Sequence, residues 1–222
     1  MFFPLKDENP TSRFPIITVV LITLNSLIFL GQLFSPHGLA VSIYKMGAIP
    51  FEITHWQSPP DFPISRISPL LSLVVSLFLH GGFLHLAGNM LFLWIFGNNV
   101  EDYLGPIRFI LYYFVCGLGA SLIHVLFNPN SMVPMVGASG AIAGILGAYF
   151  LLYPGAKVLT LVFLFFFIRV IPIPAAFFLG LWFIAQILNV GLGGGVAWFA
   201  HIGGFLIGMG LIRIYAQRRR KG

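Results

Sequence analysis

The chain has 222 residues, of which 58% are hydrophobic and only 8% are charged, and its formal net charge is +6. Soluble domains carry about 25% charged residues, so this composition excludes an ordinary soluble enzyme and predicts an integral membrane protein. The single cysteine, Cys116, excludes an intrachain disulfide, and we interpret it as a small apolar side chain within a helix.

Six apolar stretches approach or reach the roughly 20 residues that a membrane-spanning helix needs. In chain order they are Pro15–Phe34, Phe83–Asn99, Ile107–Phe127, Val136–Tyr153, Ala175–Leu192 and Val196–Ile214. Two shorter apolar segments, Leu70–Leu79 and Val158–Ile168, are typical of interfacial or re-entrant structure, and a seventh span is the main alternative to this count. The sequence predicts an all-α, polytopic bundle of six membrane helices with a partly membrane-embedded first loop.

The spans form one membrane domain with short polar ends. We assign residues 1–14 to an N-terminal tail, 15–215 to the membrane domain and 216–222 to a basic C-terminal tail. The long first loop, Ser35–Pro69, is rich in proline and carries Trp56 and Arg66, residue types that settle at a bilayer interface.

The distribution of Lys and Arg predicts the orientation, because cytoplasmic loops carry an excess of both. With six spans and the N-terminus inside, only Lys45 and Arg66 among the 12 basic residues fall on the outer side. We therefore expect a protein of the cell membrane with both termini in the cytoplasm. The final RRRKG run is expected to contact anionic lipid, and we predict no nucleic-acid partner.

Polar side chains inside a membrane are costly and by default mark functional sites. Those within the predicted spans are His85 and Asn89 in the second, His124 in the third, Ser139 in the fourth and His201 in the sixth. Asn25 and Gln186 are isolated, and we interpret them as residues that hydrogen-bond between helices.

Histidines are common metal ligands, and His80 and His85 lie close together in the sequence LHGGFLHLAGN. However, the chain contains no HExxH motif, and no carboxylate lies near either histidine in sequence. A hydrolytic zinc site usually takes three protein ligands. We therefore predict no metal and no cofactor.

Small residues repeat every four positions in two of the predicted spans. The fourth span carries Gly140, Gly144 and Ala148, and the sixth carries Ala200, Gly204 and Gly208. Such faces let two helix backbones approach closely. Because Ser139 and His201 each lie one residue from the end of such a face, packing of the two faces would bring the hydroxyl to the imidazole.

This juxtaposition predicts a nucleophile and a base. Ser139 falls in the first turn of its helix, where unpaired amides carry partial positive charge and could stabilise an oxyanion. His85 and Asn89, four residues apart on one helix face, could donate further hydrogen bonds. All six acidic residues are expected in loops or tails, so we predict a Ser–His pair with no third member.

Three motifs occur in the order HGGFLHLAGNMLFLWIFGNNVED, GASGAIAG and AHIGGFLIG. In this order they resemble those of rhomboid intramembrane serine proteases, and the resemblance extends from about Ile16 to Ile214. It implies Ser139 as the nucleophile and His201 as the general base.

The resemblance also implies that His85 and Asn89 help the backbone amide of Ser139 to bind the oxyanion. His80 matches a histidine of the family that we interpret as structural. Arg66 could stand for an arginine of the family's first loop, but ISR replaces the usual Trp-Arg pair. The implied fold is a six-span bundle whose active site lies below the outer membrane surface.

The implied activity is cleavage of peptide bonds in or near the membrane segments of transmembrane protein substrates. Two alternatives remain at this point: a non-catalytic rhomboid-like protein that binds client helices, and a channel or transporter that uses its histidines as a proton path. Neither the substrate, the cleavage site nor the oligomeric state follows from the sequence.

Overall fold

The structure is a computed structural model that describes residues 2–36, 38–57, 66–164, 167–192 and 195–221. Its elements are β1 (Phe2–Asp7), α1 (Ile16–Leu33), α2 (Gly38–Met46), α3 (Pro50–His55), α4 (Pro69–Val75), α5 (Phe83–Phe92), α6 (Asn98–Leu104), α7 (Pro106–Phe127), α8 (Ser139–Leu152), β2 (Lys157–Leu164), β3 (Phe167–Pro174), α9 (Ala175–Leu188) and α10 (Trp198–Lys221). A 3₁₀ turn, Ser76–Phe78, extends α4, and a π-helical turn, Leu93–Gly97, joins α5 to α6.

Three of these helices, α1, α7 and α10, are long and apolar enough to cross a membrane. A fourth span is possible if the bent pair Pro69–Phe78 and Phe83–Leu104 is counted as one, while α8 and α9 are apolar helices of 14 residues. The helical membrane protein predicted from composition is confirmed. The count of six spans stays a prediction.

The chain bends by 77° between Phe78 and Phe83. Gln32 of α1 holds this bend, because its side-chain amide pairs with the backbone of His80. The N–H of His80 donates to Oε1 at 3.0 Å, and Nε2 donates to the carbonyl of His80 at 3.4 Å. The bend places the start of α5 beside the N-terminus of α8.

Helix α8 lies at the centre of the bundle, and the ten residues Gly140–Tyr149 of its 14 are buried. Gly204 and Gly208 of α10 contact its backbone so closely that a Cβ on either would overlap the carbonyl oxygen of Gly140 or Gly144. The close packing predicted from the two small faces is therefore confirmed. On the other side of α8, the buried Cys116 of α7 packs against Gly144, as expected for a small apolar side chain.

Two acidic residues expected in loops are instead buried in helices. Glu101, in α6, is 4% exposed and accepts hydrogen bonds at 2.8 Å from the backbone N–H groups of Ile17 and Thr18 and from the Thr18 hydroxyl. A carboxylate is stabilised at a helix N-terminus, so Glu101 fixes the start of α1 against α6. The second buried acid is Glu52 of α3.

An antiparallel sheet in the order β1–β2–β3 is a feature that the sequence analysis does not predict. Val158, Thr160 and Val162 of the central strand are buried on one face. The described residues of Val158–Ile168, expected to be interfacial or re-entrant, thus lie in strands β2 and β3, and residues 2–7, assigned to a tail, form an edge strand. The all-α prediction therefore holds only in the coarser form of a mostly helical fold.

Helix α10 continues to Lys221, so much of the segment assigned to a C-terminal tail is helical. The side chains of residues 219–222 lie outside the described part of the structure. The expected contact of this basic segment with anionic lipid stays a prediction.

Candidate active site

Ser139 and His201 meet where the N-terminal ends of α8 and α10 pack together. Ser139 is the first residue of α8, and His201 lies in the first turn of α10. The hydroxyl oxygen Oγ of Ser139 is 2.8 Å from Nε2 of His201. The proximity predicted from the two small faces is present, so a proton can pass directly between these two atoms.

The other ring nitrogen of His201 also has a partner. Nδ1 lies 2.8 Å from Oε1 of Gln186 in α9, and the ring centroids of Trp182 and Trp198 are each 6.0 Å from the imidazole centroid. The sequence predicts a Ser–His pair with no third member because no Asp or Glu is available beside His201, but an amide, Gln186, occupies the position next to Nδ1. Gln186 does bond between helices, as its isolated position in a span suggests, but the sequence alone does not name its partner.

His85 and Asn89 of α5 converge on the backbone of Gly137, two residues before Ser139. A Cβ on Gly137 would lie 2.8 Å from Nε2 of His85 and 3.6 Å from Nδ2 of Asn89. Gly137 has a φ of +120°, a conformation that side-chain-bearing residues rarely adopt. Glycine is therefore required here both for its backbone conformation and for the space it leaves to these two side chains.

Both α5 side chains can donate hydrogen bonds toward this space. The backbone N–H of Gly81 donates to Nδ1 of His85 at 3.3 Å, so the neutral ring carries its proton on Nε2. Asn89 is 8% exposed, and its Nδ2 has no hydrogen-bond partner among the described residues. A buried donor without a partner costs about 1–3 kcal/mol. This cost is removed when an acceptor binds beside it.

The segment before Ser139 is held in place by backbone hydrogen bonds. The N–H of Gly137 donates to the carbonyl of Ser76 at 2.9 Å. Two residues earlier, Met135 and Ala48 exchange hydrogen bonds of 2.7 and 3.1 Å, which tie this segment to the first loop. The N-terminus of α8 is thus fixed from two sides.

A cavity of about 770 Å³ contains these groups. Ser139, His201, His85 and Asn89 all line it, together with Trp182 and with residues of the segment before α8. This volume lies within the roughly 300–1,000 Å³ of typical ligand sites. The four predicted site residues therefore face one shared space.

The remaining histidines of interest differ in their surroundings. His124 lines the cavity, whereas His80 is completely buried and contacts the edge of the His85 ring, with 5.2 Å between centroids. Within the described ranges, no three His, Cys, Asp or Glu side chains lie close enough together to hold a metal ion.

Arg66, expected at the bilayer interface, is instead buried in the first loop. Its side chain is 3% exposed, its Nε donates to Oε1 of Glu52 at 2.6 Å, and its Nη2 donates to the carbonyl of Gly47 at 2.7 Å. Trp56 is 67% exposed at the end of α3. The loop residues between them, 58–65, lie outside the described ranges.

Comparison with known proteins places the chain in a family. The profile of the Rhomboid domain matches residues 68–218. Rhomboid protein 1, mitochondrial, of Saccharomyces cerevisiae is 30% identical over 78% of this chain and 49% of its own length. RHOMBOID-like protein 6, mitochondrial, of Arabidopsis thaliana is 34% identical over 68% of this chain and 45% of its own length.

A bacterial relative, the Rhomboid protease GluP of Bacillus subtilis, is 45% identical over 34% of this chain and 14% of its own length. The chain thus spans about half, or less, of the length of these relatives. The match to the Rhomboid domain covers more than half of the chain and includes Ser139, His201, His85 and Asn89. The chain belongs to the rhomboid family.

Proposed function

We propose that this chain is an intramembrane serine endopeptidase that cleaves peptide bonds in or near the transmembrane segments of membrane proteins. The observation that carries the proposal is the 2.8 Å hydrogen bond between Oγ of Ser139 and Nε2 of His201 in a shared cavity. A hydroxyl becomes a nucleophile when an adjacent base accepts its proton, and this geometry meets that requirement.

The proposed reaction begins when Oγ of Ser139 attacks the scissile carbonyl carbon and its proton passes to Nε2 of His201. The carbonyl oxygen becomes an oxyanion, which accepts hydrogen bonds from the Ser139 backbone N–H, Nε2–H of His85 and Nδ2 of Asn89. The carbon–nitrogen bond then breaks, and His201 gives its proton to the departing amine. A water molecule hydrolyses the acyl-enzyme in the same way, with His201 again as the base.

Two features support the oxyanion assignment. Ser139 opens α8, where the first amides have no partner within the helix and carry partial positive charge. The Nδ2 of Asn89, which has no partner in the part of the chain that the structure describes, lies with the Nε2–H of His85 beside Gly137, close to these amides. Donors fixed in place before the reaction lower the barrier because they need not reorganise as charge develops.

The apolar bundle supports a membrane setting for this chemistry, with transmembrane proteins as substrates and lipids as partners. We place the protein in the cell membrane with both termini in the cytoplasm, on the asymmetry of Lys and Arg along the chain. The site would then lie near the outer surface, because α8 begins on that side. A transmembrane substrate would have to unwind locally, since helical hydrogen bonds shield its peptide bonds.

The test is cleavage of a panel of single-span membrane proteins by the purified full chain in lipid vesicles, with cut sites mapped by mass spectrometry. Ser139→Ala and His201→Ala are expected to abolish cleavage. Ser26→Ala is the matched control, because among the described residues that hydroxyl donates to the carbonyl of Ile22 in its own helix and to no catalytic group. Cleavage that survives in Ser139→Ala would overturn the proposal.

The non-catalytic alternative predicts a different outcome of the same assay. A protein that only binds client helices would retain substrates in the vesicles without cutting them. It would also give no covalent adduct of Ser139 with a fluorophosphonate probe. The protease, in contrast, is expected to form this adduct in the folded wild-type chain and to form none in Ser139→Ala.

A further inference from the structure

Gln186 lies on the far side of the His201 ring from Ser139. Its Oε1 is 2.8 Å from Nδ1 of His201, and the side chain is 7% exposed. Both nitrogens of the imidazole are thus hydrogen-bonded to side chains from two other helices. The rings of Trp182 and Trp198 contact it as well.

The orientation of the Gln186 amide is set by its second hydrogen bond. Nε2 of Gln186 donates to the carbonyl oxygen of Trp182, one turn earlier in α9, at 3.0 Å. If the amide were flipped, its oxygen would face that carbonyl oxygen, and two acceptors would meet without a proton between them. Oε1 is therefore the atom that faces His201.

This orientation determines which nitrogen of His201 carries the proton. An amide oxygen can only accept a hydrogen bond, so Nδ1 of the neutral imidazole must donate to it. The proton is then on Nδ1, and the lone pair on Nε2 faces the Ser139 hydroxyl. This is the tautomer that can remove the proton of the serine.

We infer that Gln186 is a positioning residue that holds His201 in the tautomer and ring orientation needed to deprotonate Ser139. The inference rests on the proposed protease function and extends it to a third side chain. Gln186 occupies the place that a carboxylate takes beside the histidine of a Ser–His–Asp triad. Because it is a neutral amide, it fixes geometry without adding a negative charge that would stabilise the imidazolium.

The first experiment uses the wild-type chain, so it does not depend on the folding of a variant. In the full-length protein in detergent micelles with ¹⁵N-labelled histidine, the ring nitrogen shifts of His201, assigned by their loss in His201→Ala, report its tautomer. We expect the Nδ1–H form in the resting enzyme. A resting imidazole with its proton on Nε2 would overturn the inference, whatever the outcome of the cleavage assay.

The second experiment replaces the amide. Gln186→Met keeps the length and burial of the side chain but removes the hydrogen-bond acceptor. We expect kcat to fall about 10²–10⁴-fold with KM nearly unchanged, because the histidine is then no longer held in the required tautomer. Gln186→Glu restores an acceptor and should recover much of kcat. Its negative charge favours the imidazolium, so the acid limb of the profile of kcat/KM against pH should move to higher pH.

Asn189→Ala is the matched control, because within the described ranges this amide at the C-terminal end of α9 donates to its own helix, to the carbonyl of Ala185 at 2.6 Å. It should leave kcat and the pH profile unchanged. Wild-type kcat in Gln186→Met would contradict the inference, as would equal losses in the Met and Glu variants. Cleavage that persists in Ser139→Ala would instead refute the protease function, and the tautomer measurement would still decide the role of Gln186.

Discussion

Gly208 of α10 packs directly against the backbone of Gly144 in α8, so that a methyl group on Gly208 would overlap the Gly144 carbonyl oxygen. The same oxygen accepts a hydrogen bond from the Tyr112 hydroxyl of α7 at 3.0 Å. Three helices therefore meet at one carbonyl group, about one and a half turns along α8 from Ser139. The separation of the hydroxyl and the imidazole is set by this contact rather than by the two side chains alone.

Gly208→Ala should therefore both destabilise the bundle and weaken catalysis. We expect the free energy of unfolding to fall by about 1–3 kcal/mol, because an added methyl must push α8 and α10 apart. Cleavage should fall as the Ser139–His201 hydrogen bond lengthens. Gly210→Ala is the control, since a Cβ there would meet nothing within 4 Å. Thermal unfolding in detergent and cleavage assays would measure both effects, and equal stability of the two variants would contradict this account.

Asn89→Ala should separate activity from stability. Nδ2 of Asn89 is buried without a partner in the described part of the chain, so its removal breaks no hydrogen bond of that atom in the resting protein. We expect kcat to fall about 10²–10³-fold, as for loss of one oxyanion donor. The melting temperature should stay unchanged or rise, because the cost of an unpaired buried donor is removed.

Asn128→Ala is the control for this prediction. Asn128 also lines the cavity, but its Nδ2 already donates to the carbonyl of His124 at 3.1 Å. Its removal should leave kcat within about twofold of wild type, since that donor is not free to bind an oxyanion. A melting temperature that falls sharply in Asn89→Ala would indicate a structural role for this amide instead.

The sequence predicts the proximity of Ser139 and His201 because spacing alone carries that information. Small residues four apart define a helix face, and two such faces place Ser139 beside His201 without knowledge of the rest of the fold. The partner of Gln186 could not be predicted in this way. The rotation of α9 against α10 decides which of its side chains faces His201, and no periodicity in the sequence encodes that rotation.

The sheet and the two buried acids cannot be predicted from the sequence for a different reason. Val158–Ile168 is a short apolar run, and such a run in a strand cannot be distinguished from a helical or interfacial segment by periodicity. Glu52 and Glu101 lie outside the six predicted spans, so the sequence predicts loop positions for both, and carboxylates are rarely buried unless they are paired. Their partners, Arg66 and the N-terminus of α1, become visible only in the fold.

The ion pair between Arg66 and Glu52 should stabilise the first loop mainly by compensating a buried charge. Both side chains are 3% exposed. Arg66→Met leaves the Glu52 carboxylate without its cation, and we expect a loss of about 3–5 kcal/mol in the free energy of unfolding. The double variant Arg66→Met with Glu52→Leu should recover most of this loss, because no charge is then buried.

A double-mutant cycle in detergent would measure this coupling between the two side chains. Lys45→Met is the control, since that exposed side chain belongs to the same loop. It should change the unfolding free energy by less than about 0.5 kcal/mol, as surface substitutions usually do. A double variant that is as unstable as Arg66→Met alone would show that the arginine acts through packing rather than through Glu52.

Asp7 connects the edge strand β1 to the helical bundle, because the Tyr149 hydroxyl of α8 donates to its Oδ2 at 2.6 Å. Burial raises the pKa of Asp7 above its ordinary value of 3.8, and the hydrogen bond from Tyr149 only partly opposes that rise. The folded state therefore binds this proton more tightly than the unfolded state does. Protonation of Asp7 favours the docked strand.

The docking of β1 should consequently weaken as pH rises. Its contribution is fully present below pH 3.8 and is lost as the pH passes through the higher pKa of the folded state. Asp7→Asn keeps an acceptor for Tyr149 but cannot ionise, so it should remove this dependence and protect β1 better at neutral pH. Hydrogen exchange of the β1 amides, corrected for intrinsic rates, would measure how the protection of β1 depends on pH. Glu8→Gln is the exposed acidic control. Protection that increases with pH in the wild type would contradict the assignment, because it would require the ionised carboxylate to be the form that docks.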